Sequence, residues 1–98
     1  MRKGTTPTHI FTIPTEIAET LSKIRVIYSQ NNEIVLTKDT TEVGSEVKIR
    51  LTQEETLQFD HSKAVDIQVR ALTLGGDALN SDIMTVRCEK CLEDGVFE

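Results

Sequence analysis

Aromatic residues are scarce in this sequence of 98 residues, which contains no Trp, one Tyr and three Phe. Hydrophobic residues make up 38% of the chain, so the core is predicted to be mostly aliphatic. A chain of this length forms one domain and buries roughly 60–65% of its unfolded surface. Three of the four aromatic residues, Phe11, Tyr28 and Phe59, lie in patterns that predict burial. This leaves few rings for the exposed platforms on which sugars usually stack.

Cysteine is also scarce, since Cys88 and Cys91 are the only two. Two cysteines do not form a disulfide framework, and a reducing cytosol is the expected initial environment. A zinc site needs four ligands, and this pair supplies two. A redox pair sits at a helix N-terminus, whereas this one follows a strand pattern and precedes acidic residues. We predict no cofactor and no metal; Cys88 and Cys91 are the candidates if a metal is bound, and a buried structural role for Cys88 is favoured.

Long hydrophobic runs and concentrated positive charge are both missing. No apolar stretch approaches the 18 residues of a membrane span, and no apolar segment of a signal peptide follows the charged start. The net charge is −5, from 16 acidic and 11 basic residues, and the basic residues are scattered. Nucleic-acid binding needs a concentrated basic face, so neither nucleic acid nor a membrane is an expected partner.

Catalytic motifs are not apparent either. The sequence has no phosphate loop, dinucleotide fingerprint or calcium loop. Asp60, His61 and Ser62 carry the residue types of a catalytic triad, but neighbours in sequence do not converge as that geometry requires. His9 lies among threonines in a strand pattern and is predicted to be a surface residue. The protein is therefore predicted not to be an enzyme.

Alternating apolar and polar residues dominate the chain and predict strands with one buried face. Two short helical turns are expected, one with Thr15 as its N-cap and one with Thr52 and Glu55 at capping-box spacing. The predicted fold is all-β, an antiparallel immunoglobulin-like sandwich of six to seven strands with one or two short helical turns. Residues 1–98 form one domain, and 1–7 and 92–98 are expected to be flexible termini.

The first hairpin turns at Asn31 and Asn32. A two-residue loop would put Ile34 on the face opposite Tyr28. A three-residue loop, 30–32, pairs Tyr28 with Ile34 and gathers the large side chains on one face, so it is the predicted register, with Asn32 in the left-handed conformation. Ile27 and Val35 are then expected on the outward face.

The second hairpin is expected to turn at Gly75 and Gly76 as a two-residue loop. That register pairs Ile67 with Met84 and Val65 with Val86, and it turns Met84, Val86 and Cys88 inward. The segment 80–82, Asn-Ser-Asp, interrupts the alternation and predicts a bulge.

Two resemblances extend these predictions. From Glu46 onward, the segments EVKIRL, VDIQVRALT, GGDALNSD and IMTVR resemble the last strands of fibronectin type III and immunoglobulin-like domains. The corner departs from the fibronectin pattern, because no Tyr follows Leu51 before Val65. The segments THIFTIP, IRVIYSQNNEIVLTK, IRLTQEETLQF and SDIMTV resemble small proteins encoded by phages and prophages of Gram-positive gut bacteria, and also the immunoglobulin-like modules of phage tails and baseplates.

The resemblance implies a non-enzymatic interaction or assembly module, a small phage or prophage structural or accessory protein of tail or baseplate type. The alternative is a carbohydrate- or surface-binding β-sandwich domain. The implied partner is a protein, either a second copy or a larger phage structural protein, so an oligomer is possible. The implied location is the cytoplasm of the bacterial host, with possible incorporation into a virion. The expected interaction surface comprises Ile27, Val35, Asn31 and Asn32, beside an unpaired strand edge.

Overall fold

Seven strands and two short helices make up the computed structural model, which describes residues 1–93 and 95–98. In chain order they are β1 (Thr8–Thr12), α1 (Thr15–Ala18), β2 (Leu21–Gln30), β3 (Glu33–Thr40), β4 (Glu46–Arg50), α2 (Gln53–Leu57), β5 (Val65–Thr73), β6 (Ala78–Asn80) and β7 (Met84–Val86).

The strands form two antiparallel sheets of unequal size. The larger sheet has the order β3-β2-β5-β6, and β7 also pairs with β5, in line with β6. The smaller sheet contains only β1 and β4. This is an all-β sandwich, as the alternating pattern predicts, and two strands cover the inner face of a sheet that is four strands wide at most points.

The core lies between the two sheets and is closed at one end by the loop after α2. It is aliphatic except for Tyr28 and Phe59, whose rings meet edge to face with centroids 6.0 Å apart. Phe11 is only half-buried. The buried core cluster comprises Leu21, Ile24, Val26, Tyr28, Val47, Ile49, Leu51, Phe59, Val65, Ile67 and Cys88.

The predicted register of the first hairpin is wrong. Asn31 and Asn32 form a two-residue turn with φ values of 51° and 65°, and the next pair outward is Gln30 with Glu33. Asparagine tolerates this left-handed conformation, which the tight hairpin turn requires at both positions. Ile34 therefore pairs with Ser29 and is 66% exposed.

A bulge at Val35 restores the burial pattern beyond this turn. The register shifts between Tyr28 and Ser29, so Tyr28 pairs with Leu36. Val35 and Leu36 are both half-buried and pack against the core, so the outward placement predicted for Val35 is also wrong. The extra residue lets two consecutive side chains turn inward, which simple alternation does not allow.

The second hairpin reaches the predicted pairs by a different route. Ile67 pairs with Met84 and Val65 with Val86, as predicted. The loop, however, has three residues, because Leu72 pairs with Ala78 and the amide of Thr73 donates to the carbonyl oxygen of Asp77. The expected irregularity lies between β6 and β7, where the segment opposite β5 contains one extra residue. This shift offsets the shift caused by the longer loop, so the predicted pairs are restored.

The helices are short, and of the two predicted caps one is confirmed. At α2, the Thr52 hydroxyl accepts from the Glu55 amide, and the Glu55 carboxylate accepts from the Thr52 amide at 2.8 Å. At α1, Pro14 rather than Thr15 is the N-cap, because its carbonyl oxygen accepts from the amides of Ile17 and Ala18. Among the described residues, neither helix has the length or apolar character needed to cross a bilayer.

The N-terminal segment is bonded to the rest of the domain. The buried Thr56 hydroxyl accepts from the Gly4 amide and donates to the Thr5 carbonyl oxygen. The N-terminal amine donates to the carbonyl oxygen of Arg87. Flexibility of the termini, 1–7 and 92–98, stays a prediction, and residue 94 lies outside the described residues.

Candidate functional site

The surface predicted from the first hairpin is only partly assembled. Asn31 and Asn32 are exposed at its tip, and Ile27 is half-buried on the outer face of the larger sheet. Val35 lies on the inner face, and its place outside is taken by Ile34, which the register error assigned to the core. The outward apolar pair is therefore Ile27 and Ile34, surrounded by polar strand residues.

The strand edges differ in how they are protected against pairing with another chain. The β3 edge carries the bulge at Val35 and an inward-pointing charge, Lys38, whose Nζ donates to both carboxylate oxygens of Glu55 at 2.9 Å. Bulges and inward charges are devices that block edge pairing. The edge formed by β6 and β7 is short and interrupted between the two strands. The β6 and β7 edge therefore offers a partner strand little continuous backbone, whereas the β3 edge is blocked by its bulge and its charge.

The smaller sheet has one charged edge and one uncharged edge. Along β4, Glu46, Lys48 and Arg50 are exposed and charged. Along β1, the five paired residues contain no charge, and their register with β4 has no bulge. Of the strand edges in the described residues, β1 is the one that is continuous and uncharged.

The backbone of β1 has hydrogen-bonding groups directed at open space. The Pro7 carbonyl oxygen accepts from the Leu51 amide at 2.9 Å, and the Ile13 amide donates to the Ser45 carbonyl oxygen at 2.8 Å. In an antiparallel pair such contacts alternate along the strand, so the odd-numbered residues face β4. The amides and carbonyls of the even-numbered residues, Thr8, Ile10 and Thr12, therefore point away from β4. They form a row that a further strand can bond.

A groove of about 460 Å³ lies beside this open edge. We call it the β1 groove. It exists because the inner face of the larger sheet extends past β1, and most of its lining is apolar. Side chains from both layers line it, including Phe11, Ile13, Leu21, Ala71, Leu79 and Met84.

Part of the apolar surface in the β1 groove is exposed to solvent. Met84 is 41% exposed and Leu79 is 39% exposed, although both lie on the inner face by their pairing with Ile67 and Ala71. Asp82 is the one charged residue among those that line the groove. Exposed apolar surface of this kind, next to an open edge, is typical of a site that receives an extended chain.

His9 connects β1 to the core and is not a surface residue. Its ring is half-buried, and Nδ1 lies 2.7 Å from the hydroxyl of the fully buried Tyr28. Burial lowers the pKa of His9, helped by the positive N-terminal amine. Burial also raises the pKa of Tyr28 well above its ordinary range, and the negative charge of the nearby Glu55 carboxylate raises it further. The Tyr28 hydroxyl therefore keeps its proton, and its hydrogen bond with Nδ1 of His9 holds β1 against β2.

The remaining sequence candidates do not form a reactive centre. Cys88 is buried, and burial raises its thiol pKa, so the thiolate is disfavoured. Cys91 is half-buried and is also a free thiol. The described residues contain no group of three or more His, Cys, Asp or Glu side chains placed to hold a metal ion.

The triad-like segment is a local turn. One carboxylate oxygen of Asp60 accepts from both the amide and the hydroxyl of Ser62, at 2.8 and 2.7 Å. His61 is exposed beside it. The hydroxyl is therefore bonded to the carboxylate and not to the imidazole, so these three residues are not arranged as a triad.

A second, smaller concavity of about 150 Å³ lies on the outer face of the larger sheet. Lys23, Arg25 and Arg70 contribute positive charge to it. Asp39 neutralises part of that charge through bonds to Arg25 and Lys23, and the hydrogen bond from Arg25 is the main contact that lowers the pKa of Asp39 to about 2. Its volume is below the roughly 300–1,000 Å³ of typical small-molecule sites.

Comparisons with known proteins support the fold. No protein-family model matches this sequence, and no curated protein matches it either. The chain is similar to the Ig-like domain of mouse leukocyte-associated immunoglobulin-like receptor 1, solved as a strand-swapped dimer: the TM-score is 0.50 and the identity 10%, with 93% of this chain and 84% of that chain covered. A structure of the extracellular domain of the same receptor gives a TM-score of 0.47 at 11% identity, covering 100% and 82%. The fold is therefore an immunoglobulin-like β-sandwich.

Proposed function

We propose that this domain is a non-enzymatic interaction module that binds a protein strand along β1. The observation that carries the proposal is the open, uncharged edge of β1 beside the β1 groove. An added strand bonds the free amides and carbonyls of Thr8, Ile10 and Thr12, and its inward side chains cover Leu79 and Met84. This places the interaction on the smaller sheet and not on the hairpin surface of Ile27, Val35, Asn31 and Asn32.

The biological setting that we propose is a phage or prophage, where the domain is a small structural or accessory protein of tail or baseplate type. The support is the resemblance of the whole sequence to such proteins, together with a site built for assembly and a thiol pair without reactive surroundings. In this setting the protein acts in the cytoplasm of the bacterial host and, if it is structural, in the virion. Its partner is a second copy or a larger structural protein.

The test uses two proline variants that remove equivalent backbone donors. Ile10 and Lys48 are directly paired, and each points its amide away from the other strand. Ile10→Pro therefore removes a donor from the open edge of β1, and Lys48→Pro removes one from the open edge of β4, while the bonds between the two strands stay intact. Each variant is co-expressed with the products of the neighbouring genes, and complexes are measured by size-exclusion chromatography with light scattering.

The wild type and Lys48→Pro should form the same complex, with a second copy or with a neighbouring gene product, and Ile10→Pro should not. Circular dichroism of each variant is the check that it folds. A wild-type protein that stays monomeric and binds none of these products would refute the assembly function. The carbohydrate- or surface-binding alternative would then be tested by titration with glycans, in which Phe97, 80% exposed, is the accessible aromatic side chain.

A further inference from the structure

We infer that the strand received by β1 is a free extended arm of another protein, apolar at alternate positions and basic at its ends, and not the edge strand of a folded domain. This inference rests on the proposed function and names the class of partner. Three features support it: the part of the larger sheet that extends past β1, the spacing of the exposed apolar side chains on that part, and the charge around the β1 groove.

The part of the larger sheet that extends past β1, which we call the groove floor, excludes a partner strand that already belongs to a folded sandwich. Leu79 of β6 and Met84 of β7 lie on this floor. An edge strand of a sandwich has its apolar face packed against a second layer of its own domain. If that face met the floor, the second layer would overlap with β6 and β7. If it faced away, only polar side chains would meet the floor. A single extended segment has both faces free, so it fits.

The groove floor sets the spacing of the inward side chains of the arm. Met84 pairs with Ile67 of β5. Leu79 pairs with Ala71, four residues further along β5, so the two exposed side chains are separated by about 13 Å. Positions i and i+4 of an extended arm are the same distance apart. Ser81 lies between the two side chains and also lines the groove. We therefore expect apolar residues at i and i+4 of the arm, with a third inward side chain at i+2 above Ser81.

The alternation of β1 gives the same spacing from the other layer. His9 points inward and is bonded to Tyr28. Tyr28 pairs with Ile67, whose other neighbour is Met84. Ile13, four residues after His9, also lines the groove. Directly opposite residues of paired strands point to the same face, so the arm residues opposite positions 9, 11 and 13 point at the floor. The two layers therefore require the same alternating pattern.

Neighbouring segments of the chain limit the length of the arm. Beyond β7, residues 1–3 are bonded to 87–89, with the Lys3 amide donating to the Glu89 carbonyl oxygen at 3.0 Å. On the side of α1, Ile17 is part of the groove lining. The open edge between these limits is the length of β1, so the paired part of the arm has about five residues.

Charge favours a basic arm over an acidic one. The domain has a net charge of −5, and Asp82 is the one charged residue among those that line the groove. Its side chain is exposed. Lys or Arg in the arm is attracted by this carboxylate, whereas Glu or Asp is repelled by it and by the domain as a whole. The C-terminal segment of a second copy, 92–98, is a poor arm for the same reason, because it has acidic residues and no basic one.

Binding of synthetic peptides tests the predicted pattern. The probe is a fluorescently labelled peptide, Lys-Thr-Val-Thr-Val-Thr-Val-Thr-Lys, in which the valines alternate with threonines. One control peptide has the same composition with its valines consecutive, and the other has Glu in place of both lysines. Fluorescence anisotropy should show that the wild-type protein binds the probe about fivefold or more tightly than either control. Asp82→Lys should remove most of the difference between the Lys and Glu peptides.

Hydrogen exchange measured by NMR locates the bound probe. Saturation of the wild type with probe should slow exchange at the amides of Thr8, Ile10 and Thr12, because these groups gain partners. The amide of Lys48 on the open edge of β4 is the control and should exchange as before. Ile10→Pro should weaken probe binding by roughly tenfold, because the proline ring removes one donor and obstructs the approaching backbone. Lys48→Pro should bind as the wild type does. The exchange result stands independently if Ile10→Pro does not fold.

The outcomes separate this inference from the function on which it rests. Equal binding of the probe and of the peptide with consecutive valines, or slowed exchange only at amides away from β1, would overturn the extended arm. A wild-type protein that binds no peptide, but forms a dimer or a complex with a folded gene product that Ile10→Pro abolishes, would overturn the arm and leave the interaction function supported. A wild-type protein that binds neither peptide nor protein would overturn both.

Discussion

Replacing Gln30 with Met should destabilise the domain more than any other single change to an uncharged polar side chain near the hairpin. Gln30 is the last residue of β2 and is buried. Its amide nitrogen donates to the carbonyl oxygens of Asp60 and Lys63 at 2.7 and 3.0 Å. Its amide oxygen accepts from the Asp60 amide at 2.8 Å. One side chain therefore ties the hairpin to the loop that precedes β5.

The size of the effect follows from these three bonds. Met has a similar shape, so Gln30→Met removes the bonds without leaving a large cavity. A typical intramolecular hydrogen bond contributes about 0.5–1.5 kcal/mol, and an abandoned buried partner costs about 1–3 kcal/mol. Asp60 and Lys63 are in an exposed loop, so water can replace part of what is lost. We expect a loss of about 2–3 kcal/mol in the free energy of unfolding.

Urea unfolding followed by circular dichroism measures this loss, and thermal unfolding should show a decrease in Tm of about 10–20 °C. Gln58→Met is the matched control: Gln58 is exposed, and its substitution should change stability by less than about 0.5 kcal/mol. Equal unfolding midpoints for the two variants would show that the loop is not held by Gln30, and the placement of the hairpin against it would be refuted.

Three further results are expected. Ile67→Ala should cost about 2–5 kcal/mol in urea unfolding because it opens a cavity in the core, whereas exposed Lys48→Ala should change stability by less than about 0.5 kcal/mol; equal costs would contradict the assignment of strand faces. The free energy of unfolding should fall as the pH drops below 6.5, the ordinary pKa of histidine, because the unfolded chain then binds a proton that buried His9 resists, and His9→Gln should remove that part of the pH dependence. The double variant Cys88→Ala and Cys91→Ala should fold and lose only a small packing contribution; stoichiometric zinc in the purified wild type, absent from the double variant, would contradict this.

The alternating pattern was sufficient to predict the sandwich, but not the register of its first hairpin. Burial of Val26 and Tyr28 follows from alternation, and both are fully buried. The predicted three-residue loop is wrong because alternation assumes that successive side chains always point to opposite faces of the sheet. At Val35 a bulge turns two consecutive residues inward, and nothing in the local sequence marks that position. The two asparagines at the turn were the available signal, since both tolerate a left-handed conformation.

The location of the candidate site was not predictable from local patterns. The sequence predicts that the segment of β1 is apolar, but the β1 groove depends on which strands join which sheet. That assignment is a property of the whole chain, because β1 pairs with β4 and the inner-face side chains of Leu79 on β6 and Met84 on β7 stay exposed. The uncharged stretch between Lys3 and Glu16 is the one sequence signal for this surface. It identifies an open edge only in combination with the structure, which shows that the other strand edges carry charges or are short.

Protection of the other edges is what makes the bare edge of β1 informative. On β3, Lys38 points inward, where it would be unfavourable without the Glu55 carboxylate, and Glu55 is also held by its capping box. The ion pair and the capping box restrict Lys38, Glu55 and Thr52, and the inward charge also disfavours pairing of β3 with another chain. A charged residue on β1, for example a Lys in place of Ile10, would disfavour pairing at this edge in the same way as the charges on β3 and β4. The sequence instead keeps β1 apolar, uncharged and straight, and the physical consequence is a surface that lowers its free energy by pairing with another strand.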